Sequence, residues 1–303
     1  MEKYDVFCYG EIGIDNIIEA DQLPSPEIAV FPKSESYHVG GAAANTGIWL
    51  AHMGLPVGLS GNAIGNDQYG QILINRLKAH PEIDLQLIDI RENIPTPYTR
   101  AIVTPDGERS FLIFYYPQTP KKPFKMDQLQ GAKYVALDLY GGGERLETAR
   151  TAHTAGVQTA IGDVVWKDHA VLPFTSIATN SGSYIRALFP GVDVRVYSHE
   201  LQAISKGIVI TTDGGDPIHV IDRDGSAFVI SPPKTDVKDA TGAGDAFRAG
   251  LLYGLTKGRT LMESVCLGAA TGSLKVKYLG AATTLPEFSE ILQLAETITV
   301  ERI

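Results

Sequence analysis

The sequence predicts an α/β fold: a central, mostly parallel sheet with helices on both faces, plus a small separate β layer. Three observations lead there. Short, nearly all-apolar runs recur, such as "DVFCYG" (Asp5–Gly10) and "GIVITTDGG" (Gly207–Gly215), and such runs suit strands buried on both faces. From about residue 132 onward these runs alternate with helical patterns, as parallel strands joined by crossover helices require. The runs at 12–19, 34–39 and 98–116 break that alternation and read as an inserted β layer.

Taken in order, "DVFCYG" is a buried strand that stops at a glycine. "GIDNIIEA" and "SESYHV" are short strands of the inserted layer. "AAANTGIWLAHMG" (Ala42–Gly54) has helical spacing, with Ile48, Leu50, Ala51 and Met53 apolar and Gly54 as the stop. "VGLSGNA" is a strand. "DQYGQILINRLKAH" is an amphipathic helix with Ile72, Leu73, Ile74 and Leu77 near one face. In "YTRAIVTPDGERSFLIFYY" (Tyr98–Tyr116) two β-prone runs flank "PDGE", which reads as a hairpin. Beyond it, "KYVALDL" is a strand, "ERLETARTAHTAG" a helix, and "QTAIGDV" and "GIVITTDGG" strands. The expected organisation is one α/β domain over residues 1–303, with a small β lid formed by about 12–39 and 96–118.

Composition excludes several classes. The formal net charge is −9 and no Lys/Arg run occurs, which argues against nucleic acid or a membrane surface as partner. No apolar run is long enough to span a bilayer, and the N-terminus lacks the pattern of a signal peptide. The two cysteines, Cys8 and Cys266, lie in apolar runs, as buried small side chains of a protein of the reducing cytoplasm would. None of the seven histidines pairs with Cys or His at zinc-ligand spacing, so no protein-built metal cage is expected. Neither a Gly-x-x-x-x-Gly-Lys-Ser/Thr loop nor a Gly-x-Ser-x-Gly elbow is present. "YGGGERL" (Tyr140–Leu146) lacks the spacing of a dinucleotide fingerprint and reads as a tight turn lining a pocket.

The stretch that carries chemistry is "DATGAGDAFRAGLLYGL", from Asp239. After Asp245 the apolar pattern is helical, so Gly242, Ala243 and Gly244 fall just before or at a helix N-terminus. Glycines there let backbone approach a ligand closely. Free N–H groups and the positive end of the helix dipole then face it. That makes an anion hole in an acidic protein without any basic side chain. Asp245, in the first turn, is kept ionised by the same dipole and can take a proton from an attacking hydroxyl. The plainer alternative is an Asp that only caps the helix. Six fixed positions in this string recur by chance about once in 10⁷ windows.

"DATGAGDAFRAG" closely resembles the C-terminal signature of the ribokinase-like (PfkB) carbohydrate and nucleoside kinases. "VGGAAANTGIWLAHMG" resembles the family's N-terminal block, with Gly40, Gly41 and Asn45. "GNAIGNDQYG" resembles the next block, "GEIGIDNI" the strand that ends in a substrate-binding acid, here Asp15, and "VITTDGG" the nucleotide-side turn, with Thr212 and Gly214. "LKVKYLGAAT" resembles the turn near the adenine. The likeness runs from about residue 5 to about residue 285.

The resemblance implies a ribokinase-like three-layer sandwich with a β lid, acting as a kinase that uses ATP and Mg²⁺. The acceptor would be a small sugar or sugar derivative; a nucleoside, or a ligand-binding homologue without efficient turnover, are the alternatives. It implies Asp245 as general base, with the N–H groups of Gly242, Ala243 and Gly244 facing the phosphoryl group. Asp15, Gly40, Gly41 and Asn45 would hold substrate hydroxyls; Asn180, Thr212, Gly214 and Gly244 would hold the nucleotide. Asp239 and Thr241 fall where some members bind a monovalent cation. Phe114 and Tyr116 would cover a sugar or base, or simply pack the lid, and an apolar lid could pair with its twin in a homodimer.

Two departures from the pattern stand out. Where the family carries Asn-x-x-Glu, this chain has Asn180 but Ser183; a second register would use Tyr197 and Glu200. Near Ala270 the family's adenine-side Asn is missing. Arg248, one turn into the helix, faces either the site or solvent.

Overall fold

The computed structural model describes residues 3–105 and 109–303. In chain order it contains β1 (Val6–Gly10), β2 (Gly13–Glu19), β3 (Ser34–Gly40), α1 (Ala42–His52), β4 (Val57–Gly61), β5 (Ile64–Gly65), α2 (Gln68–Leu77), β6 (Ile83–Asp84) and β7 (Ile90–Arg91). β8 (Tyr98–Val103), β9 (Arg109–Phe114), β10 (Tyr134–Leu137), α3 (Gly143–Thr154), β11 (Gln158–Gly162), β12 (Ile177–Ser181), α4 (Gly182–Leu188), α5 (Val194–Ser205) and β13 (Ile208–Asp213) follow. The chain then forms β14 (Asp216–Ile221), β15 (Ala227–Ile230), α6 (Ala243–Thr256), α7 (Leu261–Lys275), α8 (Phe288–Glu296) and β16 (Val300–Arg302).

The main sheet has ten strands in the order β16-β15-β14-β13-β12-β11-β10-β1-β4-β6. From β6 to β13 every pairing is parallel. Alternate side chains of each strand enter different cores, as strands buried on both faces require. Val6 and Cys8 of β1 join the core under α1, α6 and α7, and Phe7 and Tyr9 the core under α3 and α5. Helices on two faces of one sheet make the three-layer sandwich expected from the alternating pattern.

The end of the sheet departs from that pattern. β14, β15 and β16 pair antiparallel. Only Gly214 and Gly215 separate β13 from β14. Two residues can close a hairpin, but a parallel return needs a long crossover.

A second sheet has the order β3-β2-β8-β9. Its register sets Asp15, Thr99 and Ile113 in one row, and Ile17, Ala101 and Phe111 in the next. The turn expected at "PDGE" lies, but for Pro105, outside the described residues.

Candidate active site

The carboxyl ends of β1, β10, β11, β12 and β13 open into one cavity of about 1060 Å³, roofed by the inner face of the small sheet. Such a crevice is where ligands bind in open α/β sheets. α6 enters it by its N-terminus. Gly242 caps the helix with φ +73°, and a Cβ there would stand 2.4 Å from Ala281 Cβ. Both conformation and packing therefore demand glycine. The N–H of Ala243 turns back to Ala240 O at 3.2 Å, and Ala243 is not among the lining residues. This corrects the expectation for that residue. The N–H groups of Gly244 and Asp245 have no acceptor among the described residues, and Gly244 faces open space. These two are the free donors at the helix end.

Asp245 lies in the first turn of α6 but does not cap it, since Gly242 takes that position. Its Oδ2 accepts from Asn45 Nδ2 at 3.1 Å and its Oδ1 from Arg248 Nη2 at 2.9 Å. Arg248 is 4% exposed, faces inward and also donates to Thr46 Oγ1 at 3.1 Å. That decides its direction: site, not solvent. Burial pushes the Asp245 carboxyl up to about 6, against the opposing pull of Arg248 and Asn45. This corrects the expectation from sequence that the helix dipole keeps the carboxyl in its ordinary ionised range.

The acceptor-side residues converge on the same place. Asp15 is on β2, and Asn45 is on the first turns of α1 beside Gly41. Gly41 has φ +90°, and a Cβ on it would stand 2.3 Å from Glu11 O. Gly40 does not line the cavity; it backs Asp15, whose Oδ1 would lie 2.3 Å from a Cβ on Gly40. Burial, with the charges of Asp245 and Asp239, pushes the Asp15 carboxyl up to about 7.

On the other side, Asn180 and Thr212 line the cavity, with Thr212 Oγ1 donating to Asn180 O at 3.3 Å. Asn180 Nδ2 donates to Val164 O at 3.1 Å, and its Oδ1 is buried without a partner among the described residues. Gly214 lies on the β13–β14 turn and does not line the cavity. Ser183 is exposed beside Ser181. The second register is set aside: Glu200 pairs with Lys167 outside the cavity, and Tyr197 donates to Val165 O. Among the described residues no group of three or more His, Cys, Asp or Glu could hold a metal.

The location implied for a monovalent cation holds a side chain instead. Lys275 Nζ donates to Asp239 O at 2.6 Å and Tyr278 O at 3.3 Å, and lies 3.9 Å from Asp239 Oδ2. Asp239 also accepts from the N–H groups of Thr241 and Gly280. Burial raises the Asp239 carboxyl, but Lys275 and these donors outweigh it and hold it below its usual range. Burial brings Lys275 down to about 8.

Phe114 takes the second of its two expected roles and packs the lid. It stacks on Tyr98, centroids 4.5 Å apart, and does not line the cavity, whereas Tyr116, Phe111 and Ile113 do. Asp138 and Asp163 were missed, yet each directly follows an apolar strand, "YVAL" and "QTAIG". That position beyond a parallel strand was a readable signal. Glu11 carried the same signal, directly after β1; Lys275 had none.

A cavity with an acid beside free helix N–H groups is what a phosphotransferase with an alcohol as acceptor needs. Residues 3–287 match the pfkB family carbohydrate kinases, and the chain belongs to that family. It is 25% identical to the aminoimidazole riboside kinase of Salmonella typhimurium, covering 86% of this chain and 91% of that one. It is also 25% identical to a 5-dehydro-2-deoxygluconokinase of Shouchella clausii, covering 97% and 96%. The fold is similar to that of Arabidopsis thaliana ribokinase complexed with ribose and ATP, with TM-score 0.82, 19% identity and coverage of 97% and 99%.

Proposed function

We propose that this protein transfers the γ-phosphoryl group of Mg·ATP to a hydroxyl of a small sugar or sugar derivative. One observation carries the reading: Asp245 stands in the cavity between Asn45 and Arg248, next to the free N–H groups at the start of α6. Asp15, Gly41 and Asn45 hold acceptor hydroxyls. Asp245 takes the proton of the attacking hydroxyl as its oxygen bonds to the γ-phosphorus and the bond to ADP breaks. The N–H groups of Gly244 and Asp245 face the charge on the transferring group.

Asn180 and Thr212 lie on the nucleotide side. Mg²⁺ arriving with the nucleotide would neutralise charge on the phosphates and would be held mainly through water and phosphate oxygens. That suits a chain with Ser183 in place of an acid; Asp163, at the end of β11, is the carboxylate this side of the cavity offers. Lys275 supplies the fixed positive charge for which the resemblance implied a monovalent cation. The chain acts as one unit over residues 1–303, with the small sheet as its lid. β9 is an edge strand with Leu112 52% exposed, which supports pairing of two lids in a homodimer. Two free, buried cysteines suit the cytoplasm.

Ser183 also motivates a second reading, a ligand-binding protein without efficient turnover. The test is ADP release from Mg·ATP across pentoses, hexoses, sugar acids and nucleosides, with Asp245→Asn as control. An acceptor whose turnover is lost in the variant supports the kinase. Acceptor binding without ADP release by either protein supports the second reading.

A further inference from the structure

We infer that the acceptor is an uncharged sugar bearing an apolar substituent beside its hydroxyls, and that Phe111 and Ile113 select it. This rests on the kinase reading above.

The first ground is charge. Seven carboxylates and two cations are among the described residues that line the cavity. Most of the cations in and around it already stand beside the chain's own acids. Arg145 is 3.1 Å from Asp138 and Arg248 is 2.9 Å from Asp245, while Lys121 is 3.5 Å from Glu11, a carboxyl that burial pushes up to about 8. Arg109 and Lys275 share Asp239, at 3.3 Å and 3.9 Å. Asp15, on the acceptor side, has no cation paired with it among the described residues. A carboxylate or phosphate set beside Asp15 would thus meet like charge and no cation paired with that acid, which disfavours binding. The phosphates of ATP avoid this conflict because backbone N–H groups receive them.

The second ground is the roof. Across the small sheet Asp15, Thr99 and Ile113 share one row, and Ile17, Ala101 and Phe111 the next. Strands in a sheet lie about 4.8 Å apart. The apolar pair therefore begins about two strand spacings, roughly 10 Å, from the acid that grips hydroxyls. That is the reach of a sugar with a ring or alkyl group attached. Phe111 and Ile113 line the cavity yet are 47% and 65% exposed. Apolar surface left open beside a polar floor gains by covering an apolar group.

The experiment compares kcat/KM for matched acceptors with Mg·ATP: free pentoses and hexoses, their benzyl glycosides, nucleosides, aldonic acids and sugar phosphates. Burying one such substituent is worth about 1.5–3 kcal/mol, or roughly 10–100-fold. Substituted neutral acceptors should exceed the free sugars by that factor, and anionic acceptors should fall below the free sugars. In Phe111→Ser and Ile113→Ser the advantage of the substituent should collapse to within about threefold; both side chains are half exposed, so thermal unfolding should shift little. An anionic acceptor as best substrate, or variants that keep the advantage, overturns the inference while leaving the kinase reading intact. If no acceptor turns over, the kinase reading fails, and calorimetric affinities for the same panel judge the inference by the same ranking.

Discussion

Arg248 Nη2 donates to Asp245 Oδ1 at 2.9 Å, while Asn45 Nδ2 holds Oδ2 at 3.1 Å. Both oxygens of the carboxylate are thus oriented, and each retains a lone pair for a hydroxyl. Asp245→Asn keeps the shape and removes the base. Loss of a general base typically slows a reaction by about 10²–10⁴, or ~3–5 kcal/mol in the barrier. Single-turnover rates should show that loss, while acceptor affinity by calorimetry should change far less. A variant with near-wild-type rate would leave Asp245 no role as base.

Arg248 keeps this acid ionised. Asp138 and Asp163 act on Asp245 in the opposite sense, each raising its pKa. Removing the opposing guanidinium in Arg248→Met should move the acidic limb of kcat/KM upward by about one unit or more. Arg248→Lys, which keeps the charge, should move it less. Identical limbs in all three proteins would contradict the coupling.

The pH dependence follows from three groups. Asp245 titrates near 6 and Asp15 near 7, both pushed up chiefly by burial. Asp245 must be ionised to take a proton, and Asp15 accepts from two hydroxyls most strongly when ionised, so kcat/KM should rise as pH increases through 6 to 7. The two carboxylates interact, so the limb belongs to the pair. Lys275 loses its proton near 8, so the rate should fall above that pH. A profile already flat at pH 5 would exclude Asp245 as a buried base.

Lys275 holds an ammonium against Asp239 O and Tyr278 O. Wild-type rates in potassium, sodium and tetramethylammonium chloride at equal ionic strength should therefore agree within about twofold, a barrier difference of ~0.4 kcal/mol. Lys275→Met leaves Asp239 buried with a weakened set of partners, and breaking a buried pair costs about 3–5 kcal/mol. Its Tm should drop by several degrees, and added potassium should recover part of both Tm and rate. A strong potassium requirement in the wild type would overturn this assignment.

Much of the site was legible in the chain because it is local. "DATGAG" places Gly242 and Gly244 beside Asp245 within one turn of α6, and no distant contact is needed to bring them together. The parallel sheet was legible for the same reason, since apolar runs and helical spacing are short-range patterns. The antiparallel strands β14 to β16 were not foreseen; β16 pairs with β15 across about 70 residues of chain.

By itself the sequence determined the fold class, the helix N-terminus that can receive an anion, and the acid set in its first turn. Tertiary structure decided what surrounds them. Asn45 meets Asp245 from 200 positions away, Lys275 meets Asp239 from 36, and strand register turns Phe111 inward and Phe114 outward. The physical reason is range. Caps and glycine turns depend on neighbours in the chain, whereas burial, ion pairing and the facing of a strand depend on which distant residues the folded sheet brings into contact.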